Sequence, residues 1–383
     1  MTAVDNSLIF LCLLAILVSC LICVRYLQLM RILRWRPPER NRLSSTVRLS
    51  VIIPARNEEE DLAACLTSIL QQADVDLQVV IVNDHSTDRT GEIANSIATS
   101  DSRVRVLHDP ELRPGWLGKV NAMQHALECT THDLVLFTDA DVIHAPGCFA
   151  LVLAIMEQQQ LDFVSLFPRL HCVSLIENVN APAYIGGFCQ IVGESVREGS
   201  GRGMGAGALM LVRRPVLEAI GGLAAIKTEM LDDVMLATLV KRHGFALGFW
   251  AGSNLVDVRF YKGNWPAFWG MTKNVLAELR QRFWIAPIAA LVPFLVFWTP
   301  WISMLWGAAT ANWLLFAVGA GTYLIQYLLL LPCHEIVPFH RGKVLFFPLV
   351  SIVILCNCVR ASYHYFIRGA VYWRGRSIRV REA

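Results

Sequence analysis

The sequence predicts an α/β domain with a mostly parallel sheet, flanked by transmembrane helices. Of the 383 residues, 55% are hydrophobic and only 17% are charged, whereas an ordinary soluble domain has about 25% charged residues. Long apolar stretches lie at both ends of the chain, and the middle alternates strand-like and helix-like patterns. These observations together indicate one soluble domain of ordinary size held between membrane segments.

The N-terminal apolar stretch, Ser7–Val24, is uncharged and close to the roughly 20 residues that cross a bilayer as a helix. A cleaved signal peptide is the alternative, but no basic segment precedes the stretch and no Ala-x-Ala site follows it. A run of arginines comes next: Arg25, Arg31, Arg34, Arg36, Arg40 and Arg42. By the positive-inside rule, this run predicts a multi-pass protein of the inner membrane whose soluble domain faces the cytoplasm.

Three more apolar stretches, each long enough to span, lie near the other end: Ile285–Met304, Trp313–Leu331 and Val344–Ile367. Three full crossings from the cytoplasm would place the basic tail outside, against its charge. Prolines at 287, 293 and 300 make the first stretch a poor straight helix, so a re-entrant or surface hairpin is the alternative there.

The middle of the chain follows a strand–helix pattern typical of a parallel sheet with helices on both faces. The predicted elements, in order, are a strand at Ser50–Ile53, a helix at Glu58–Leu70, a strand at Leu77–Val82, a helix capped by Thr87 or Asp88, a strand at Val104–Leu107, a helix at Lys119–Leu127 and a strand at Asp133–Thr138. In such sheets ligands bind beyond the carboxyl ends of the strands, so the polar residues at those ends are the first candidates for a site.

The strongest candidate is Thr138-Asp139-Ala140-Asp141, which follows the fourth predicted strand. Mg²⁺ and Mn²⁺ prefer hard oxygen ligands and are often bound by one or two carboxylates together with substrate phosphates. A pair of solvated turn aspartates is the alternative, because a lone Asp-x-Asp is common by chance. The position after a buried strand favours the metal site.

Two further loops follow the first and second strands, Pro54–Glu58 and Asn83–Asp88. A carboxylate at Asp84 can accept hydrogen bonds from a base or a ribose. Helix capping is the alternative, by Asn57 for one helix and by Thr87 or Asp88 for the next. Capping explains Thr87 and Asp88 better than it explains Asp84.

Three more motifs carry charged groups. Gly118 directly before Lys119 at a helix start suits the approach of phosphate or sugar, with a solvated lysine as the alternative. Asp232-Asp233 begins a helix, where carboxylates are favoured by the helix dipole alone but where one of them can also act as a general base. The Arg280–Trp284 segment can clamp a diphosphate or anchor the chain beside the membrane.

The motifs PARNEE, VNDHSTD, GWLGK, TDAD, LDD and RFW stand in this order between about Leu49 and Trp284. The order resembles that of the inverting family-2 nucleotide-sugar glycosyltransferases, and the WRGR of the tail is also similar. Within that family, GWLGK and the flanking membrane segments are most similar to the enzymes associated with hopanoid and carotenoid glycosylation. The resemblance implies a GT-A fold, which is Rossmann-like, together with a UDP-sugar donor and Mg²⁺ or Mn²⁺.

The resemblance also implies roles for single residues. Asp84 would contact the nucleotide, Asp139 would lie near the ribose and the metal, and Asp141 would be the main metal ligand. Asp233 would be the catalytic base, with Asp232 as the alternative because it stands where the family has glutamate. The other residues predicted to bind the donor are Pro54, Arg56, Glu58, Lys119, Arg282 and Trp284.

One departure from the family bears on the product. Arg282-Phe283-Trp284 has one residue more between Arg and Trp than the Gln-x-x-Arg-Trp element that is associated with processive synthases. This departure and the few membrane spans favour transfer of one sugar to the hydroxyl of a lipid acceptor, such as a hopanoid, a carotenoid or another membrane lipid. The alternatives are a processive polysaccharide synthase, a nucleotidyltransferase, and a non-catalytic membrane scaffold.

The charge pattern argues against a nucleic-acid partner, because the net charge is only +3 and the middle domain has no basic stripe. The predicted organisation is an N-terminal transmembrane helix at 1–26, a basic cytoplasmic linker at 27–48, the GT-A domain at 49–260, an interfacial amphipathic segment at 261–284, a C-terminal transmembrane region at 285–367 and a basic tail at 368–383.

Overall fold

The computed structural model of the chain describes residues 2–34, 47–73, 75–197, 199–272, 275, 286–373 and 376–379. Within these ranges the strands are β1 (Val47–Ala55), β2 (Val75–Asn83), β3 (Val104–His108), β4 (Leu134–Phe137), β5 (Val142–His144), β6 (Phe163–Phe167), β7 (Arg169–Leu170), β8 (Met210–Arg213), β9 (Leu247–Ala251), β10 (Val256–Val258), β11 (Ala370–Trp373) and β12 (Arg376–Arg379). The α-helices are α1 (Ala3–Leu33), α2 (Leu62–Leu70), α3 (Thr90–Ser100), α4 (Gly118–Glu128), α5 (Cys148–Gln158), α6 (Leu175–Val179), α7 (Ala181–Ser195), α8 (Arg214–Ala219), α9 (Asp232–Arg242), α10 (Asn264–Trp269), α11 (Ala286–Ala309), α12 (Trp313–Leu330) and α13 (Val350–Tyr363), which continues as a π-helix at His364–Arg368.

The predicted α/β domain is confirmed, with a central sheet in the order β3-β2-β1-β4-β8-β6-β9. β1, β2, β3 and β4 pair in parallel, as do β6 and β9, whereas β8 is antiparallel to both of its neighbours. A second sheet in the order β5-β10-β7 lies beside it. The four parallel strands are the ones that the sequence predicts, and each is within three residues of its predicted bounds.

Apolar side chains cover both faces of the central sheet, because residues that alternate along a strand point to opposite sides. In β1, Val51 and Ile53 belong to one buried cluster with α2 and α5, and Ile52 belongs to another with α4, α8 and α9. All three are fully buried. The sheet is therefore a rigid platform whose carboxyl edge holds the loops that follow β1, β2 and β4.

One predicted helix cap is wrong, and the other differs from the structure by one position. Asn57 lies in the left-handed region at φ 54°, and its side-chain oxygen accepts a hydrogen bond from the Thr87 N–H at 2.8 Å. It therefore joins the first loop to the second, and α2 begins later, at Leu62. At α3 the cap position is held by Arg89, while Asp88 accepts from the Thr90 N–H at 3.0 Å.

The first C-terminal apolar stretch is one helix rather than the alternative hairpin, because α11 continues through Pro293 and Pro300. Proline lacks the N–H that would bond the carbonyl four residues earlier, which for Pro300 is that of Val296. The side chain of Gln326 in α12 donates to this Val296 carbonyl at 2.9 Å. A neighbouring helix thus supplies the missing donor, as helices in apolar surroundings require.

Among the residues that the structure describes, four helices are long and apolar enough to cross a membrane: Ala3–Leu33, Ala290–Ala309, Trp313–Glu335 and Val344–Arg368. Three of them, α1, α11 and α12, pack against one another. α1 runs to Leu33, past the predicted end of the N-terminal span at residue 26, and β1 begins inside the predicted linker at Val47.

Candidate active site

The candidate site lies at the carboxyl edge of the parallel strands. β1 is bonded to β2 on one side and to β4 on the other, with Ala55 opposite Asn83 and Ile52 opposite Phe137. This register brings the loop after β2 and the turn after β4 to the two flanks of the same strand end. Asp84 and Asp139, 55 positions apart in sequence, therefore face the same region, as the parallel arrangement predicts.

Asp139 and Asp141 occupy the tight turn between β4 and β5. The Asp139 N–H donates to the Gly207 carbonyl at 3.0 Å, which fixes the start of the turn, and the Asp139 side chain is 38% exposed. Burial and the nearby carboxylates of Asp139 and Asp61 raise the pKa of Asp141 to about 7. Two carboxylates held this close repel each other and favour a bound cation.

The chemistry of this turn fits Mg²⁺ or Mn²⁺. Both ions take carboxylate oxygens and commonly complete their coordination with phosphate and water rather than with a full protein cage. Over the described residues, no group of three or more His, Cys, Asp and Glu side chains is arranged to hold a metal. Asp139 and Asp141 would therefore share the ion with a phosphate-bearing ligand.

Lys119 lies at the centre of the carboxylates. It is the second residue of α4, and its Nζ is 2.8 Å from Asp139 Oδ1 and 3.0 Å from Asp232 Oδ2. Burial alone would lower the pKa of Lys119, but the charges of Asp139, Asp232 and Asp233 outweigh that effect and hold it well above its usual value. Lys119, which was predicted to bind the donor, thus links the turn of Asp139 and Asp141 to the first turn of α9.

Asp232 and Asp233 differ in their surroundings, although they are adjacent. Asp232 has a side chain that is only 6% exposed and is ion-paired with Lys119. Asp233 accepts two backbone hydrogen bonds, from the Gly207 N–H at 2.9 Å and from the Val234 N–H at 2.8 Å. Burial and the charge of Asp232 raise the pKa of Asp233 to about 6, against the opposing effect of Lys119.

A glycine-rich segment that the sequence reasoning missed connects these parts. A Cβ at Gly203 would lie 2.1 Å from the Ala237 carbonyl oxygen, and one at Gly205 would lie 2.5 Å from that of Asp233. A Cβ at Gly207 would lie 2.6 Å from Asp139 Oδ2. Only glycine allows the backbone to approach this closely. The available signal was the Gly-x-Gly-x-Gly spacing at 203–207.

The residues predicted to bind the donor from the first two loops form a connected support. Arg56 donates to the Asp84 carbonyl at 2.8 Å, and His85 Nδ1 lies 3.1 Å from Asp84 Oδ1. The Glu58 N–H donates to the Thr90 hydroxyl at 2.7 Å. Pro54 is opposite Val82 in the sheet, so β1 continues through the proline at which it was predicted to end. Arg282 and Trp284 lie outside the described residues.

Comparison with known proteins shows which family the central segment resembles and which fold it has. Residues 50–221 match the family model described as Glycosyl transferase family 2. The mannosyltransferase PcManGT from Pyrobaculum calidifontis, solved with GDP-Man and Mn²⁺, superposes with a TM-score of 0.56 at 18% identity, over 94% of this chain and 99% of that one. The matched segment is therefore similar to glycosyltransferase family 2 domains, and the fold of the domain is GT-A.

The matches to curated relatives cover only part of each sequence. The chain is 32% identical to the uncharacterized glycosyltransferase EpsJ of Bacillus subtilis, over 30% of this chain and 32% of the relative. It is 24% identical to the 4,4'-diaponeurosporenoate glycosyltransferase of Staphylococcus haemolyticus, over 60% of this chain and 62% of the relative. The chain thus spans about a third to three fifths of the length of these relatives.

Proposed function

We propose that this protein is a membrane-bound inverting glycosyltransferase that moves one sugar from a nucleotide-sugar, a UDP-sugar, to the hydroxyl of a membrane lipid. The observation that carries the proposal is the position of Gly207. Its N–H donates to the Asp233 carboxylate at 2.9 Å, and a Cβ at this position would lie only 2.6 Å from Asp139 Oδ2. A base and a diphosphate-binding turn therefore lie on two sides of one residue.

The donor would bind along the carboxyl edge of the sheet. Asp84 at the end of β2 would accept hydrogen bonds from the nucleoside, and Asp139 and Asp141 would hold the metal beside the diphosphate. A bound Mg²⁺ or Mn²⁺ supplies positive charge that stabilises the diphosphate as a leaving group. The crowding that raises the pKa of Asp141 is relieved when a cation is shared between the two carboxylates.

Asp233 is the better candidate for the base. Asp232 is almost fully buried and its charge is already matched by Lys119, whereas Asp233 is held by backbone N–H groups that fix its direction without neutralising it. In the proposed step, Asp233 takes the proton from the acceptor hydroxyl as its oxygen attacks the anomeric carbon. The nucleoside diphosphate leaves from the opposite face with the electrons of the broken bond, and the configuration inverts.

The aromatic surface around α10 supports a lipid acceptor. Trp265 is 70% exposed and Phe260 is 45% exposed, which is unusual for side chains of this size. The same short helix is fastened to α13, because Asn357 donates to the Phe268 carbonyl at 2.7 Å. Aromatic side chains that border apolar helices are typical of a membrane interface. The carotenoid substrate in the name of the staphylococcal relative agrees with an acceptor of this kind.

The test is release of UDP from UDP-sugars by the purified protein, with and without added lipid extract, in Mn²⁺ or Mg²⁺. Asp233→Asn should lower kcat by roughly 10²–10⁴-fold, the usual contribution of a placed general base, and should leave UDP binding largely intact. The matched control is Asp76→Asn, which removes a carboxylate that is 55% exposed and distant from the site. EDTA should abolish release and Mn²⁺ should restore it; wild-type turnover in Asp233→Asn contradicts the assignment.

A further inference from the structure

α13 differs from the other apolar helices in what it buries. In the helical segment Val344–Arg368, which contains α13, half of the most apolar 18-residue window is buried within the protein, against 22–28% for the other three candidate spans. Its buried face includes polar side chains: Asn357 accepts from the Thr272 hydroxyl at 2.6 Å and is fully buried. Val353 packs with Val179 of α6. One face of α13 therefore docks on the catalytic domain, and the helix also packs along α11, where Trp298 Nε1 donates to the Ser351 hydroxyl at 2.7 Å.

Both ends of α13 lie on the domain's side. Just before it, Lys343 Nζ donates to the Val173 carbonyl of the catalytic domain at 2.6 Å. Near its end, Cys358 packs against Ala286, the first residue of α11.

The other three helices each have one end at the domain and one end away from it. α1 ends beside the domain, where Arg34 forms a bridge to Ala251, and the segment after α12 does the same through the Leu170 N–H, which donates to the Ile336 carbonyl at 2.7 Å. Toward their opposite ends the helices contact each other, as Cys12 and Ser303 do at 3.3 Å. This is the arrangement of three crossing helices.

The basic residues lie at the domain-side ends of these helices and not at the opposite ends. The segments at the ends away from the domain, residues 2–6 and 310–312, contain no lysine or arginine. The domain-side segments are basic, with Arg25 and Arg31 on α1, Arg341 and Lys343 before α13, and arginines throughout the tail. Positive charge in short segments marks the cytoplasmic side of a membrane protein.

We propose that the chain crosses the membrane three times, by α1, α11 and α12, and that α13 lies along the cytoplasmic leaflet. The proposal rests on the membrane attachment in the proposed function. It places the catalytic domain and the basic tail together in the cytoplasm, which removes the conflict that four crossings create.

The partner of α13 is the lipid surface itself. Its exposed side chains recur every three or four residues and form one apolar stripe, opposite the face that docks on the domain: Ile352, Leu355, Val359, Tyr363 and Phe366. A helix with one apolar stripe and one occupied face lies in the plane of a bilayer interface. The stripe continues the apolar surface of α11, which α13 also contacts.

The experiment uses the full-length chain in bacterial cells. Alkaline phosphatase, which is active only outside the cytoplasm, or green fluorescent protein, which fluoresces only inside, is joined after Ala383. A short epitope is inserted after Ala311, between α11 and α12, and is probed with antibody in spheroplasts. As a control, an artificial apolar span placed between Ala383 and the phosphatase must restore phosphatase activity.

Three crossings predict fluorescence, background phosphatase activity at the tail and an accessible epitope after Ala311. Phosphatase activity at Ala383 of at least about tenfold over background, without fluorescence, means that α13 crosses and overturns the proposal. An inaccessible epitope after Ala311 means that α11 and α12 do not cross, which overturns this proposal but leaves membrane attachment through α1 and the proposed sugar transfer untouched. Neither readout depends on sugar transfer, so the two failures are distinguishable.

Discussion

Gly207→Ala tests the geometry of the site through one methyl group. The new Cβ would lie 2.6 Å from Asp139 Oδ2 and 3.2 Å from Lys119 Nζ, whereas ordinary contact begins at 3.4 Å. The φ angle of Gly207 is not in the left-handed region, so the backbone conformation allows alanine at this position. The N–H that holds Asp233 is retained. The effect therefore passes through the position of the Asp139 carboxylate.

The expected loss of activity follows from how far the Asp139 carboxylate has to move. Asp139 has to move by about 0.8 Å to restore ordinary contact, and a misplacement of about 1 Å in a reacting group can cost roughly 10²-fold in rate. We expect kcat/KM for the donor to fall by roughly 30- to 100-fold, which corresponds to about 2–3 kcal/mol of transition-state stabilisation. Overpacking should also cost about 1–3 kcal/mol of the free energy of unfolding.

The assay is UDP release against donor concentration, with thermal unfolding measured in parallel. Gly201→Ala is the matched control on the same segment, because its Cβ would meet the Arg242 side chain at an ordinary 3.5 Å. It should keep wild-type kinetics. If Gly207→Ala shows wild-type kcat/KM while folded, Asp139 does not need its observed position and the site assignment is refuted.

Three further predictions concern charge. Because burial and Asp232 raise the pKa of Asp233 to about 6, and because a base acts only when deprotonated, kcat/KM should rise with pH and reach half its maximum near pH 6; a midpoint near 4 would exclude Asp233 as the base. Glu177→Gln should cost about 2–3 kcal/mol of unfolding free energy at pH 7, since Glu177 is buried and pairs with Arg259 at 2.7 Å. Burial alone would raise the pKa of Glu177, but Arg259 and backbone N–H groups lower it to about 2. The stabilisation by ionised Glu177 is therefore complete above the ordinary pKa of 4.5 and is lost as the pH falls toward 2. Urea titrations at several pH values should show this loss for the wild type and not for Glu177→Gln. Lys119→Met should leave buried Asp232 without its cation and lower the stability by about 2–3 kcal/mol, and Lys119→Arg should restore most of it; equal melting temperatures for all three proteins would contradict the ion pairs.

The part of the candidate site formed by Asp84 and Asp139 was predictable because parallel strands leave few choices. Apolar runs identify β1, β2 and β4, and the carboxyl ends of adjacent parallel strands meet at one edge. Asp84 and Asp139 follow β2 and β4 directly, so their convergence needs only the strand order β2-β1-β4. No knowledge of side-chain packing is required for that step.

Contacts that depend on packing between distant segments were not predictable. Asn57 was read as a helix cap because its type and position suit one, but its side chain bonds Thr87, which is 30 residues away. A hairpin was the alternative for the stretch of α11 because of its prolines, but Gln326 of another helix occupies the carbonyl that Pro300 leaves unbonded. Sequence spacing carries no information about a partner on a separate element.

The glycine segment at 203–207 was missed because strand β8, which follows it, runs antiparallel to β4. Met210 of β8 is opposite Phe137, so the first residue of β8 lies at the edge where β4 ends. The residues that reach the site are then those before the strand, at 203–209, rather than those after it. A search restricted to strand ends finds Asp84 and Asp139 and overlooks Gly207. In a mixed sheet, the residues that precede each antiparallel strand belong on the same list of candidates as those that follow each parallel one. Here they hold Asp233, the proposed base, against the turn that contains Asp139 and Asp141.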